Sequence, residues 1–222
     1  MPDFSLESAV LTAAGPPYPF VAGVDEVGMG ALAGPIVAAS VVLCDYGEPP
    51  PWVGDLDDSK RLSPRKRERL YSLIMGGATA VGVGWAMNME IDSDGIVAAH
   101  SRAIVQAFSE CRTALRGAGL AAVVDGEDLD YLRGELGGGA SIFRNRADSR
   151  SCSVAAASIV AKVTRDFYMI MSRNTYPRHL FEVHKGYGTA AHLEALGRWG
   201  VTPLHRRSFR PVRGGNFPEY VR

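Results

Sequence analysis

The sequence predicts a mixed α/β fold, one sheet flanked by helices, and three observations lead there. Short β-branched runs come first as neighbours and then alternate with helical segments. Those helical segments carry their own start and stop signals. With 222 residues, 46% of them hydrophobic, the chain can bury one sizeable core and is too apolar to be disordered.

Residues 19–27 read as a first strand and residues 36–43, rich in Val and Ile, as a second. Ser63 followed by Pro64 is an N-cap with proline at the first helical position, which opens a helix that runs to about Met75 and stops at Gly76-Gly77. Residues 79–87 alternate small and apolar side chains and form a third strand. Apolar spacing at Ile96, Ala99, Ala103, Ile104, Ala107 and Phe108 predicts a long amphipathic helix, closed by Gly117 and Gly119. Residues 120–124 make a short buried strand ending at Asp125-Gly126. A fifth strand is expected within 136–146, beyond the flexible Gly137-Gly138-Gly139. An alanine-rich helix with a small face starts at Ser153 and continues to about Met171. Thr189 caps a last helix that stops at Gly200, with Pro203 beyond. The order of these elements indicates a mixed sheet rather than two independent domains, with residues 1–17 and 214–222 expected to be flexible. No internal repeat is present.

Composition narrows the function. Cys44, Cys111 and Cys152 lie far apart without a CxxC pair, which argues against a zinc ribbon or a disulfide framework and for a reducing compartment. The longest apolar run, residues 31–44, is too short to span a bilayer, and no lysine or arginine precedes Lys60 to make a signal-peptide n-region. The expectation is a cytoplasmic, monomeric protein without a membrane partner. Net charge is zero, yet residues 1–58 hold nine acids and no lysine or arginine. The bases concentrate at Lys60, Arg61, Arg65, Lys66, Arg67 and Arg69, and at Arg206, Arg207, Arg210 and Arg213. Such asymmetry suits a polyanion held by basic patches around an acidic centre, although the first cluster also reads as the solvated face of a helix.

Asp25-Glu26, Asp125 and Asp148 stand at strand ends or just before a helix. An ionised carboxylate beside buried strands is costly unless it is paired or ligated. Oxygen donors without histidine favour Mg²⁺ or Mn²⁺ over zinc, and converging carboxylates can hold two such ions roughly 4 Å apart for phosphodiester chemistry. Neighbouring residues on a regular strand face opposite ways, so Asp25 and Glu26 share one site only if the backbone bends. Exposed strand-end acids at Glu26 and Asp148, and a turn-forming Asp125, are the alternatives. Residues 28–33 also satisfy GxGxxA, the dinucleotide-binding fingerprint of an oxidoreductase, but a strand follows where that fingerprint needs a helix.

An ordered set of segments is similar to the type 2 ribonucleases H, the ribonuclease HII family. It runs through AGVDEVG (22–28), DSK (58–60), DG (125–126), SIVAKVTRD (158–166), HKGYGT (184–189) and PLHRRSF (203–209). The resemblance implies a ribonuclease H-like five-stranded mixed sheet flanked by helices, with the catalytic domain expected over residues 18–176 and a C-terminal helical extension packed on it over 177–213. It implies metal-dependent cleavage of the RNA strand of RNA/DNA hybrids and of ribonucleotides embedded in DNA, leaving 5′-phosphate and 3′-hydroxyl ends. The family's catalytic, metal-binding carboxylates fall on Asp25, Glu26, Asp125 and Asp148, with two Mg²⁺ or Mn²⁺ ions in the reaction. Substrate contacts fall on the Gly28-Met29-Gly30 loop and on Tyr187, whose ring would pack on a deoxyribose and crowd a 2′-hydroxyl. Lys60, Lys162 and Lys185 are candidate phosphate contacts, and Arg206 and Arg207 anchors of the extension or further phosphate contacts. Met29 departs from the family's arginine, removing a charge-assisted contact worth about 1.5 to 3 kcal/mol. Selection of single ribonucleotides is therefore expected to be altered, and a catalytically weak hybrid-binding protein is the alternative.

Overall fold

A computed structural model describes residues 1–15, 18–43, 49–127, 130–136 and 140–220. Cys44 and the glycines at 137–139, expected to be flexible, lie outside the described residues, as do 16–17 and 221–222 of the segments expected to be mobile. The chain packs as two compact units. The first comprises Met1–Val27, Val37–Trp85 and Ser101–Val163, and the second Gly28–Ile36, Ala86–His100 and Thr164–Arg222.

The first unit carries the sheet, with strands β1 (Phe20–Val27), β2 (Ile36–Val42), β3 (Ala80–Ala86), β4 (Leu120–Asp125) and β5 (Ile142–Arg144) in the order β3-β2-β1-β4-β5. β1 runs antiparallel to β2 and parallel to β4, and β4 parallel to β5, so the sheet is mixed as expected. β2 is buried along its whole length, which is why it reads as a continuous apolar run. It also follows residues 28–33 directly and turns back against β1, so the dinucleotide-binding reading is excluded.

Helix α1 (Ser5–Ala14) precedes the sheet, α2 (Pro64–Gly77) lies between β2 and β3, and α3 (Asn88–Asp94) and α4 (Ile96–Ala114) lead to β4. The expected cap is present, since Ser63 Oγ accepts from Lys66 N at 3.3 Å and Pro64 occupies the first turn. The short α5 (Asp130–Glu135) precedes β5, and α6 (Cys152–Met171) follows it. Leu70 and Ile74 of α2 pack with Ala39 and Val41 of β2 and with the alanine-rich face of α6. Alanines there let helix and sheet approach closely, and at Gly23 the approach is complete. A Cβ at Gly23 would sit 2.0 Å from the Ser153 carbonyl carbon, so only glycine fits beneath the start of α6.

Residues 1–15 depart from the expected flexible terminus. α1 buries Val10 among Val21, Ala121, Val123, Ala147 and Val154, and Glu7 is 2% exposed. The tail expected to be mobile is also tied down, with Val201 N donating to Pro218 O at 2.8 Å and Arg207 paired with Glu219 at 2.7 Å. Neither anchor has a local sequence signal, because each partner lies far along the chain or on a different element.

The second unit is built from the end of α6, α7 (Phe181–His184), α8 (Ala190–Trp199) and the loop of residues 28–35. Thr189 caps α8 as expected, accepting from His192 N at 3.3 Å. Among the described residues no helix is long and apolar enough to cross a membrane.

Candidate active site

Parallel pairing of β1 with β4 sets Val24 opposite Val124, so Asp25 and Asp125 emerge side by side one residue further on. Asp148 arrives from a single 3-10 turn, Ala147–Ser149, just beyond β5. Carboxylate oxygens of Asp25, Asp125 and Asp148 all lie within 4.8 Å of one another, and among the described residues this is the one set of metal-capable side chains so converged.

Each acid is held by local donors. Asp25 accepts from Glu26 N at 2.8 Å, and Ser158 of α6 hydrogen-bonds its side chain. The Ser158 and Ser59 hydroxyls are hydrogen-bonded at 2.7 Å, and Ser59 O accepts from Arg67 Nε at 2.8 Å. Asp125 accepts from Ala147 N at 2.6 Å, which ties the end of β4 to the turn that bears Asp148.

The site is electrostatically expensive. Asp25 and Asp148 are each 6% exposed. Burial, then the charges of Glu26 and Asp125, drive the Asp25 carboxyl well above its ordinary value. Burial also raises Asp125, against the Ala147 N–H that favours its anion. Asp148 is pushed up to about 6 by burial and by the neighbouring Asp125 and Asp58. Burial works against the charge of Lys60, but the fields of Asp25, Asp58, Asp148 and Asp125 outweigh it and raise its pKa. One ammonium among four carboxylates leaves a net negative pocket, which a divalent cation would neutralise.

Glu26 does not join the converged set. β1 stays in register from Gly23↔Val41 to Val27↔Val37, so the local bend needed to bring adjacent side chains together is absent. Its charge still raises the pKa of both Asp25 and Asp125. Lys60 and Lys162 belong to the same unit as the carboxylates, whereas Gly28, Met29, Gly30, Lys185 and Tyr187 belong to the second.

In that second unit, Gly28 has φ +99° and a Cβ there would meet Arg165 Nε at 2.3 Å, while Gly30 faces open space. The loop is pinned by two fully buried arginines: Arg165 donates to Pro35 O and Ala33 O, and Arg206 to Gly34 O and Met29 O. Arg206 is thus an anchor, as is Arg207 through Glu219. Lys185 Nζ folds back onto the Glu182 carbonyl of its own helix, and the Tyr187 ring lies 5.2 Å below the Arg165 guanidinium. Sequence reasoning missed Arg165, Ser59, Ser158 and Asp58 as parts of these arrangements. All four lie in motifs already singled out, with Asp58 and Ser158 at their first positions, so their positions were visible although their roles were not.

A mixed sheet in this strand order, with acids at the ends of its central parallel pair, defines the ribonuclease H-like class. A sequence model described as Ribonuclease HII matches residues 22–212, and the chain belongs to the ribonuclease HII family. It is 42% identical over 214 residues to a ribonuclease HII of Chloroflexus aurantiacus, covering 96% of this chain and 95% of that one. It is 43% identical over 199 residues to a ribonuclease HII of Bacillus licheniformis, covering 88% and 71%. Among solved structures, the ribonuclease H2 of Pyrococcus horikoshii OT3 superposes with a TM-score of 0.71 at 27% identity, covering 87% of this chain and 95% of that one.

Proposed function

We propose that this protein is a metal-dependent endoribonuclease that cleaves the RNA strand of RNA/DNA hybrids and ribonucleotides embedded in DNA, leaving 5′-phosphate and 3′-hydroxyl ends. The observation that carries this reading is the convergence of Asp25, Asp125 and Asp148 within 4.8 Å in a buried setting that penalises their charge. Family membership agrees with it. The donor set fits Mg²⁺ or Mn²⁺: every donor is a carboxylate oxygen, and no histidine or thiolate stands among them. Asp25, Asp125 and Asp148, with Glu26 beside them, would hold two such ions. Bound there, the ions supply activation of water and neutralisation of charge at the scissile phosphate.

The chain's own residues then have defined work. Ser158 and the Glu26 N–H fix Asp25, and the Ala147 N–H fixes Asp125, so the acids are oriented before substrate arrives. Lys60, held charged by four carboxylates, is the proposed contact to a phosphate oxygen. The glycine of Gly28 permits a tight turn in a loop whose other side, at Gly30, is open for a sugar-phosphate backbone. Tyr187, Lys162 and Lys185 are the remaining proposed substrate contacts, and the protein is proposed to act in the cytoplasm as a monomer. Holding three acids together in a largely buried setting is costly without a cation, which argues against the catalytically weak hybrid-binding alternative.

The test is cleavage of a duplex with one embedded ribonucleotide and of a long RNA/DNA hybrid, each in Mg²⁺ and in Mn²⁺. Products with 5′-phosphate ends, absent under chelator and absent for Asp125→Asn, are expected. Cleavage that survives chelation would refute the reading.

A further inference from the structure

The N-terminal segment is bound to the turn that carries Asp148. Asp3 N donates to Arg150 O at 3.0 Å, and Cys152 N donates to Asp3 O at 3.0 Å. Four residues on, Glu7 reaches across 144 positions of sequence to the start of α6. Its Oε1 accepts from Ser151 Oγ at 2.7 Å and from Ser153 N at 2.9 Å. Ser151 Oγ in turn accepts from Val154 N at 3.1 Å, so Glu7 and Ser151 together satisfy two of the free N–H groups at the helix start.

The same few residues define the metal-capable cluster. Ser151 N and Arg150 N both donate to Ala147 O, at 2.8 and 2.9 Å, closing the turn that holds Asp148. Ala147 N donates to Asp125 at 2.6 Å, and the Ala147 side chain packs against Val10 of α1. Two of the three converging acids therefore depend on a turn whose far side is held by α1. Glu7 itself is 2% exposed, and its Oε2 is buried without a hydrogen-bond partner. Burying a carboxylate with one oxygen unsatisfied costs stability, and simple helix capping would be served as well by a serine at the surface. An element retained at such a cost has a positional task.

We propose that Glu7 is a positioning residue for the metal centre: through Ser151 and Ser153 it fixes the Ala147–Ser149 turn and so sets the separation of Asp148 from Asp125. This rests on the reading of Asp25, Asp125 and Asp148 as ion ligands, and the acids act as ligands whether or not Glu7 is present. Loosening the turn lowers the affinity for divalent ions, while the surface that contacts nucleic acid is left unchanged.

The experiment is calorimetric titration of the full chain with Mn²⁺, without substrate, for the parent, Asp125→Asn, Glu7→Ala, Glu7→Gln and Ser151→Ala. Ile74→Val, in the core between α2 and α6, serves as a control for loss of stability alone. Parent binding that disappears in Asp125→Asn establishes the site. Glu7→Ala and Ser151→Ala are then expected to weaken Mn²⁺ binding about tenfold. Glu7→Gln, which keeps an acceptor oxygen in place, should fall within about threefold of the parent, and Ile74→Val should match it. In steady-state cleavage the half-saturating Mn²⁺ concentration should rise by the same factor, with KM for hybrid unchanged. If Glu7→Ala does not fold, Ser151→Ala decides alone. Parent-like Mn²⁺ affinity in Ser151→Ala and Glu7→Ala, despite lowered melting temperatures, would overturn the positioning role and leave the metal site standing. Mn²⁺ binding undiminished in Asp125→Asn would remove the site and the inference with it.

Discussion

The carboxylates at the ends of β1 and β4 and the cluster of His179, His184, His192 and His205 in the second unit are both buried groups of titratable side chains, and they settle their charge in opposite ways. His179 Nε2 donates to Gly200 O at 2.9 Å and its Nδ1 is buried without a partner, while the other three rings of the cluster have both nitrogens engaged. His184 Nε2 donates to His179 O at 2.6 Å and its Nδ1 accepts from Gly186 N at 3.1 Å. His205 Nδ1 accepts from Thr202 N at 2.9 Å, which puts its proton on Nε2, 3.1 Å from His192 Nε2. His192 then donates from Nδ1 to Tyr187 O at 3.0 Å. All three rings are neutral, and the His184 and His192 rings stack 4.1 Å apart. The carboxylates have no such arrangement. They converge as like charges, and burial together with their mutual repulsion raises the pKa of each. A buried cluster that discharges itself is packing, whereas one that keeps unbalanced charge is the setting that the proposed metal site requires.

The sharpest way to break this contrast is Asp125→Asn. If the acids exist to hold ions, losing one removes several kcal/mol of transition-state stabilisation, on the order of 10³-fold in cleavage rate. Gel assays with the embedded-ribonucleotide duplex measure it. Activity within tenfold of the parent would place the acids with the histidines, as structural groups.

The next effect is on stability. Burial holds His192 down to about 4 and His205 to about 3, below the unfolded value of about 6.5. The unfolded chain therefore binds more protons, and stability is lost as pH falls from about 6.5 toward those folded values. At pH 5 each ring costs about 2 kcal/mol. Urea unfolding of the metal-free protein, followed by Trp199 in a Trp52→Phe/Trp85→Phe background, should show a midpoint that drops from pH 7 to pH 5. Because Asp148 contributes with the opposite sign, the background also carries Asp148→Asn, and an unchanged midpoint there would mean that the rings are charged inside the fold.

Asp148 carries the opposite sign. Its folded pKa of about 6 stands above the unfolded value of about 3.9, so its anion destabilises the metal-free fold at pH 7 and the penalty fades as pH falls through 6. Asp148→Asn is expected to stabilise the metal-free protein by about 2 kcal/mol at pH 7 and by almost nothing at pH 4. Thermal melts in chelator at the two pH values measure this, and excess Mn²⁺ should reverse the ranking by stabilising the parent alone.

How far the sequence disclosed these arrangements depended on the range of the interaction involved. β1, β2 and β3, the Ser63-Pro64 start of α2 and the Thr189 cap of α8 all follow from neighbours within a few residues, and each was legible. Glu26 was expected to join Asp25 through a local bend of the strand; the period-2 rule names the condition, and β1 does not meet it. β5 is three residues long and half exposed, too short for its pattern to fix its ends. α1 was missed because its anchor is an acid, read in a sequence as a surface residue, whose partners lie at 151 and 153. Ser158 and Ser59 meet across 99 positions, so their support of Asp25 had no local trace. The four acids were recognisable one by one at strand ends or before a helix, but the convergence of three of them comes from parallel β1–β4 pairing and the turn that bears Asp148, which no local pattern encodes.

The smallest expected effect concerns Met29, which tests whether the loop of the second unit belongs with the self-satisfied region or with the one that awaits a ligand. Arg206 donates to Met29 O at 2.9 Å and to Gly34 O at 3.0 Å, so the path of the backbone here is set by a buried guanidinium and does not depend on the side chain at 29. Burial and the charge of Arg165 lower Arg206 to about 9, still charged at neutral pH. Met29→Arg should therefore add a cation without reshaping the loop. Met29 is half-buried, so a new charge-assisted contact would fall at the lower end of its range, about 1.5 kcal/mol or roughly tenfold. That gain should appear as a higher cleavage rate for the duplex with one ribonucleotide relative to the long hybrid, because a single ribonucleotide offers fewer alternative registers in which other contacts compensate. Equal rates for the two substrates before and after the change would show that the loop reads the backbone through its main chain alone.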